Sequence, residues 1–179
     1  MINCKIVNYI GEDIKLRALT NADVYELYKL KSDPNVYIYT DSICDSDMDT
    51  TAKYIQDINF KVSKNQMIYW AITINDKLIG TICIWNIKQK EKNGELAYFL
   101  MPKFQKHGYM SQALKLVIFH AFKIMKLKKL FVYTSINNIT SNKLVNKFNF
   151  SYTKNVIEDG YNTNKSINYN VYVLENNNS

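Results

Sequence analysis

The sequence predicts an α/β (α+β) fold, and three stretches carry that expectation. Residues 67–74 and 77–85 are two apolar, β-branched and aromatic runs joined by Asn75-Asp76, the pattern of an antiparallel hairpin. Residues 95–100 read as a further strand, after which Pro102 and a polar turn lead to Met110, Ala113, Leu114, Val117, Ile118, Ala121, Phe122 and Met125. Those positions step by three and four, so one face of a long helix is buried. Residues 167–174 alternate as a closing strand.

Composition sets the frame. The 179 residues suit one domain spanning 1–179, and 47% hydrophobic with 13% aromatic residues argues for a packed core against disorder. The formal charge of +7 and a pI near 9.1 raise the question of a polyanionic partner, but Arg17 is the only arginine and no lysine run follows one helix face. A basic ribosome- or nucleic-acid-binding protein is therefore kept only as an alternative. Cys4, Cys44 and Cys83 are odd in number and widely spaced, without a C-x-x-C pair, and read as reduced thiols of a cytoplasmic protein. His107 and His120 lack metal-ligand spacing, so no metal is expected. The N-terminus lacks the apolar core of a signal peptide, and no run reaches the roughly 18 residues of a membrane span.

Taken in order, residues 14–19 alternate as a half-buried strand. Thr20 or Asn21 can cap the helix that follows, with Asp23 in its first turn and Val24, Leu27, Tyr28 and Leu30 on its apolar side. Asp33-Pro34 ends it. Residues 41–49 form an acidic loop before a second helix running to about Lys64. Its carboxylates either cap that helix or border a site for an ammonium substrate. After the hairpin, Lys92-Asn93-Gly94 turns the chain into the strand at Glu95. Residues 130–134 form a short strand, the segment 137–150 holds a helix that ends before Asn149, and the closing strand pairs with one starting near Phe150. Residues 176–179 read as a frayed tail.

The turn Gln105-Lys106-His107-Gly108-Tyr109-Met110 is the chemical feature. A glycine at a strand-to-helix swing leaves the first N–H groups of the helix without intrahelical partners, facing outward with the positive end of the helix dipole. Such a corner seats a phosphate; taken alone, the turn reads first as an ordinary loop.

The string containing that turn, Pro102-x-x-Gln105-x-x-Gly108-x-Met110 followed by Ser111-Gln112-Ala113-Leu114, resembles the acyl-CoA-binding motif Q/R-x-x-G-x-G/A of the GCN5-related N-acetyltransferases (GNAT). Within them it looks most like the branch that acetylates ribosomal-protein N-termini. Residues 137–150 resemble a second signature, N-x-x-S-x-x-x-x-x-K-x-G-F, with Asn138, Ser141, Lys147 and Phe150 on its marked positions and Asn149 in place of glycine. Asparagine tolerates the left-handed conformation better than most residues, so that replacement is mild. Met110 stands where the family has Gly or Ala, and is expected to crowd the pyrophosphate.

The resemblance implies the GNAT fold, a mixed, mostly antiparallel central sheet flanked by helices, and acetyl-CoA as co-substrate. It implies that Gln105, Lys106, His107, Gly108, Tyr109, Met110 and Ser111 hold the pyrophosphate. Backbone groups of Phe99, Leu100 and Met101 would then pair with the pantetheine arm, with an N–H near Leu100 facing the thioester oxygen and Asn138 touching the arm or the amine. Glu95, the acidic position of Glu95-Leu96-Ala97-Tyr98, is the expected base, its alternative being a solvent-facing strand-end charge. Many members protonate the leaving thiol with a tyrosine seven residues after the motif asparagine, where this chain has Val145; Ser141 is assigned that task, with a helix-terminal hydroxyl as its competing role. No cysteine lies in a motif suited to a covalent route.

The expected reaction is direct attack of a primary amine on acetyl-CoA in a ternary complex. The amine could belong to a protein N-terminus, a polyamine or an aminoglycoside-like antibiotic, and the acidic loop leans toward a polycation. A catalytically weakened acyl-CoA-binding module, suggested by Met110 and Val145, is the second alternative, and the oligomeric state expected from relatives is monomer or homodimer.

Overall fold

The computed structural model describes residue 2, residues 4–160 and residues 162–176. Tyr161 in the 158–161 connection and residues 177–179 of the expected tail lie outside them. One sheet of eight strands runs through the molecule in the order β1-β2-β3-β4-β5-β6-β8-β7. These are β1 (Tyr9–Ile10), β2 (Lys15–Ala18), β3 (Ile68–Ile74), β4 (Lys77–Lys88), β5 (Asn93–Leu100), β6 (Lys129–Ser135), β7 (Ser151–Asp159) and β8 (Ser166–Glu175). All neighbours pair antiparallel except β5 with β6.

The hairpin expected at Asn75-Asp76 forms β3 and β4, and both turn residues take positive φ, 48° and 62°, as a two-residue primed turn requires. Where β4 bulges, Gly80 lies against the Phe99 carbonyl, and a Cβ there would collide with it.

Helices cover both faces. On one, α1 (Val24–Lys31) and α3 (Met48–Ser63) place Leu27, Leu30, Ile55 and Ile58 on Tyr69, Ala71 and Cys83. On the other, α4 (Tyr109–Phe119) and α5 (Ile139–Lys147) bring Met110, Ala113, Leu114, Val117 and Val145 onto Ile82, Ile84, Leu96, Leu130 and Val132. The three-and-four stepping of α4 is thus realised. Past Phe119, however, the chain widens into a π-helical segment, His120–Ile124, which the pattern did not signal.

The opening segment holds more than the alternation suggested. Thr20 and Asp23 form a capping box around a 3₁₀ turn, Asn21–Asp23. Asp23 is buried and bidentate with Arg17 at 2.7 and 2.8 Å. Burial pushes its carboxyl up, but Arg17 and the Thr20 donors outweigh this and leave it below the usual range. After Ser32 a short helix, α2 (Pro34–Tyr37), starts with Asp33 as its cap. In the acidic loop Asp47 caps α3 through Thr50 N–H, Asp45 pairs with Lys31 at 3.4 Å, and Asp41 accepts from Asn162 and Thr163. Asn176 departs from the expected fraying, since it bonds the carbonyls of Lys128 and Leu127.

Candidate active site

The site follows from a failure of pairing. β5 and β6 match only at Asn93, Gly94 and Glu95 against Lys129, Leu130 and Phe131. Beyond them β5 stays on β4 up to Leu100, while β6 stays on β8 up to Ser135. The two strands therefore diverge, and a cleft of about 1420 Å³ opens between them, lined by residues 95–100 on one side and 132–135 on the other.

Strand alternation decides which backbone groups face this gap. The Met101 N–H donates to the Ile79 carbonyl at 3.0 Å, so it points at β4. Phe99, two residues earlier, points the same way, whereas Leu100 points into the gap. Its carbonyl accepts from Gln105 Nε2 at 3.1 Å, and its N–H shares that direction. Of the three expected donors, Phe99 and Met101 are thus spent on the sheet, and Leu100 alone aims at the cleft. Gln105 is a brace for that strand end as well as a wall of the cleft.

The turn from Gln105 has the form of an anion seat. Lys106 and Gly108 take φ of 66° and 85°, and alternating handedness of this kind folds successive N–H groups into a concavity. Gly108 is the N-cap of α4, and the Gln112 N–H to Gly108 carbonyl bond at 3.1 Å begins the helical ladder. The N–H groups of Tyr109, Met110 and Ser111 precede it. A Cβ on Gly108 would meet no atom within 4 Å, so glycine is required there by φ and not by space. His107 donates its Nδ1–H to the Gln105 carbonyl, 2.7 Å away, and its ring stacks on Tyr109 at 5.5 Å. Met110 is 8% exposed and packs in the core, while also lining the cleft beside this seat. Lys106, Lys143 and Lys147 also line the cleft. These groups fit a diphosphate.

Glu95 stands where β5 and β6 part. Its carboxylate accepts from Asn86 Nδ2, on the irregular end of β4 where Asn86 has a φ of 45°. Burial pushes the Glu95 carboxyl up and the nearby Glu158 adds to this, while Asn86 and Lys88 oppose it; the net shift is upward. Glu95 is therefore half-buried and not the fully solvated charge of the alternative reading. Trp85, Tyr133, Tyr169, Glu158 and Asp41 line this end.

Asn138 caps α5, its Oδ1 accepting from the Ser141 N–H at 3.1 Å. Ser141 Oγ lies 2.7 Å from Tyr98 Oη, and both line the cleft. Asn142, at an unmarked position of the signature, ties the surroundings together. Its Oδ1 accepts from Thr134, Asn170 and Tyr172 at 2.7–3.0 Å, and its Nδ2 donates to the Ser135 and Asn138 carbonyls. Val145 is fully buried, and Asn149 adopts the left-handed conformation with φ 60°. Cys83 is buried and pushed up to about 12 by that burial, and burial also raises Cys4; such thiols are inert as nucleophiles. Asn86, Glu158 and Asn142 carried no sequence signal, and the reach of the Tyr98 phenol to α5 had none either.

The acetyltransferase (GNAT) domain family matches residues 13–151. The N-acetyltransferase YoaA of Bacillus subtilis (strain 168) is 25% identical over 137 residues, covering 75% of this chain and 77% of that protein. A ribosomal-protein-serine acetyltransferase of Escherichia coli (strain K12) is 25% identical over 139 residues, with 75% and 77% covered. Among solved structures, RimL, a ribosomal L7/L12 alpha-N-protein acetyltransferase in complex with coenzyme A, superposes with a TM-score of 0.82 at 19% identity, covering 93% and 96% of the two chains. The microcin C7 self-immunity acetyltransferase MccE, in complex with acetyl-CoA and AMP, gives 0.81 at 17% identity, with 93% and 94% covered. Among the described residues no helix is long and apolar enough to cross a membrane. The matched span takes in the divergent strands, the Gly108 turn and the Asn138 cap together, and the chain belongs to the GNAT acetyltransferases, enzymes that use acetyl-CoA as co-substrate.

Proposed function

We propose that this chain acetylates a primary amine by direct attack on acetyl-CoA in a ternary complex, with Glu95 as base and Ser141 as the donor to the departing sulfur. One observation carries the reading: a single cleft unites an anion seat at Gly108, a strand edge presenting the Leu100 N–H, and a half-buried carboxylate at Glu95.

The residues divide the work. The N–H groups of residues 109–111, with Lys106 and Lys143, hold the diphosphate. Leu100 N–H donates to the thioester oxygen as negative charge grows on it. An alkylammonium is protonated at neutral pH, so the amine must lose a proton before it attacks, and Glu95 takes it directly or through one water. The raised pKa of Glu95 brings its basicity closer to that task. The N–C bond forms, the adduct nitrogen releases its second proton to solvent as the adduct collapses, the C–S bond breaks with its electron pair on sulfur, and Ser141 hydrogen-bonds that charge. Acetyl-CoA supplies the activated acyl group, and coenzyme A leaves as the thiolate.

Support for an ammonium acceptor comes from the cleft lining, which includes Glu95, Glu158 and Asp41 together with Trp85, Tyr133 and Tyr169. The test is thiol release from acetyl-CoA with spermidine, a peptide bearing a free N-terminal serine, and kanamycin, each with Glu95→Gln as control. Turnover with one of these amines, falling about 100-fold in the variant, is the expected result. Thiol release with none of them, or equal turnover in the variant, refutes the proposal.

A further inference from the structure

Ser141 is not an isolated hydroxyl. Among the described residues the only partner of its Oγ is Tyr98 Oη, 2.7 Å away. Tyr98 pairs with Ile82 across β4 and so shares the sheet face of Ile82, Leu96 and Leu100, beneath α4 and α5. Its ring packs on that core, and its hydroxyl emerges at the first turn of α5.

That turn is fixed independently of the tyrosine. Capping is performed by Asn138, whose Oδ1 takes the Ser141 N–H, so the serine hydroxyl is not consumed as a cap. Asn142, one residue on, anchors the helix start to β6 and β8 through its amide. The serine is therefore held in place, and the open variable is where its O–H points. A serine hydroxyl has one proton to give. If it gave that proton to Tyr98, it would present only lone pairs to an anionic sulfur. If Tyr98 donates instead, the serine proton is left for the cleft.

We infer that Tyr98 is a positioning residue for the transfer: its phenol donates to Ser141 Oγ and thereby turns the serine O–H toward the departing sulfur. This rests on the role of Ser141 given above. No proton leaves Tyr98. The electron pair of the broken C–S bond stays on sulfur, held by the Ser141 hydrogen bond, and the thiolate takes its proton from solvent after release. Burial pushes the phenol up to about 12, so it stays a donor throughout the neutral range.

The test is a double-mutant cycle of Tyr98→Phe and Ser141→Ala, measured with the fastest amine of the panel and accompanied by thermal melting. Tyr98→Phe is expected to lower kcat about tenfold, the size of one hydrogen bond to a charged group, with KM for acetyl-CoA changed less than twofold. In the Ser141→Ala background the same substitution is expected to do nothing more, because the two act in series. Multiplicative losses, or a rise in KM and a fall in melting temperature at unchanged kcat, overturn the inference and reduce Tyr98 to a packing residue. Full kcat in Ser141→Ala overturns the serine role and the inference together, while the Glu95 test still stands. A loss in Ser141→Ala with none in Tyr98→Phe overturns the inference alone.

Discussion

Acid should destabilise this protein through His120 over a window that the structure defines. His120 has no exposed surface and sits at the start of the π-helical segment that prolongs α4. Its Nδ1 is 2.7 Å from Tyr9 Oη, the Trp70 ring lies edge-on at 5.0 Å, and among the described residues Nε2 has no hydrogen-bond partner. Among the described residues no carboxylate contributes to its titration, and burial lowers its pKa from 6.5 to about 4. The unfolded chain therefore binds a proton near pH 6.5 that the native protein refuses until about pH 4. Stability is fully present above 6.5 and is lost as the pH falls through that interval. At roughly 1.4 kcal/mol per unit the loss is at most about 3 kcal/mol, a large share of a typical domain's 5–15 kcal/mol. Urea unfolding from pH 7.5 to 4, compared with His120→Phe, isolates the term, since every carboxylate titrates in both proteins. The wild type should lose up to about 3 kcal/mol more than the variant, all of it below pH 6.5. Parallel curves would refute the reasoning, because they would mean that the buried ring accepts its proton as readily as a solvated one.

Four further outcomes follow from the site. Gly108→Ala should cost about 1–2 kcal/mol for the left-handed conformation and raise KM for acetyl-CoA, with Gly108→Asn milder in both measurements. Met110→Ala should destabilise by about 2–5 kcal/mol, as removal of a core side chain does, while calorimetric titration with coenzyme A shows no tighter binding. Asn142→Leu should cost about 2–4 kcal/mol in urea unfolding, since it strands the Thr134 and Tyr172 hydroxyls and the Ser135 carbonyl. With Glu95 as the proposed base and its pKa raised, the acid limb of kcat/KM should lie above the ordinary glutamate range and vanish in Glu95→Gln.

Much of the fold was legible because it is local. The Asn75-Asp76 turn, the spacing of α4 and the left-handed Asn149 each depend on a few neighbouring residues, which are what sequence reports best. The π-helical widening at His120 was not legible. His120 there meets Tyr9 and Trp70, both distant in sequence, and the apolar spacing through Met125 stays intact. The acidic loop was legible in composition and divided in use: Asp47 caps, Asp45 pairs with Lys31, and Asp41 binds the 162–163 turn while bordering the cleft.

The site divides along a different line. Gly108, Asn138 and Glu95 stood out in the sequence because each carries its signal by itself, as a conformation, a marked position of a signature or a charge. Tyr98, Asn86 and Asn142 were missed because their roles exist only in pairs: a phenol on a serine 43 residues away, an amide on a carboxylate, and an amide between a helix and two strands. The cleft itself belongs to this second class. β5 and β6 are both good strands, and nothing in either forbids longer pairing. β4 holds β5 through Leu100, and β8 holds β6 through Ser135, seven matched positions along that strand. Each inner strand is thus more completely paired on its outer side than with its partner. The sheet's twist then opens the unpaired length into a wedge, so the cleft is produced by the strands outside it, and mutations in β4 or β8 that loosen their ladders should reach the chemistry without touching a cleft residue.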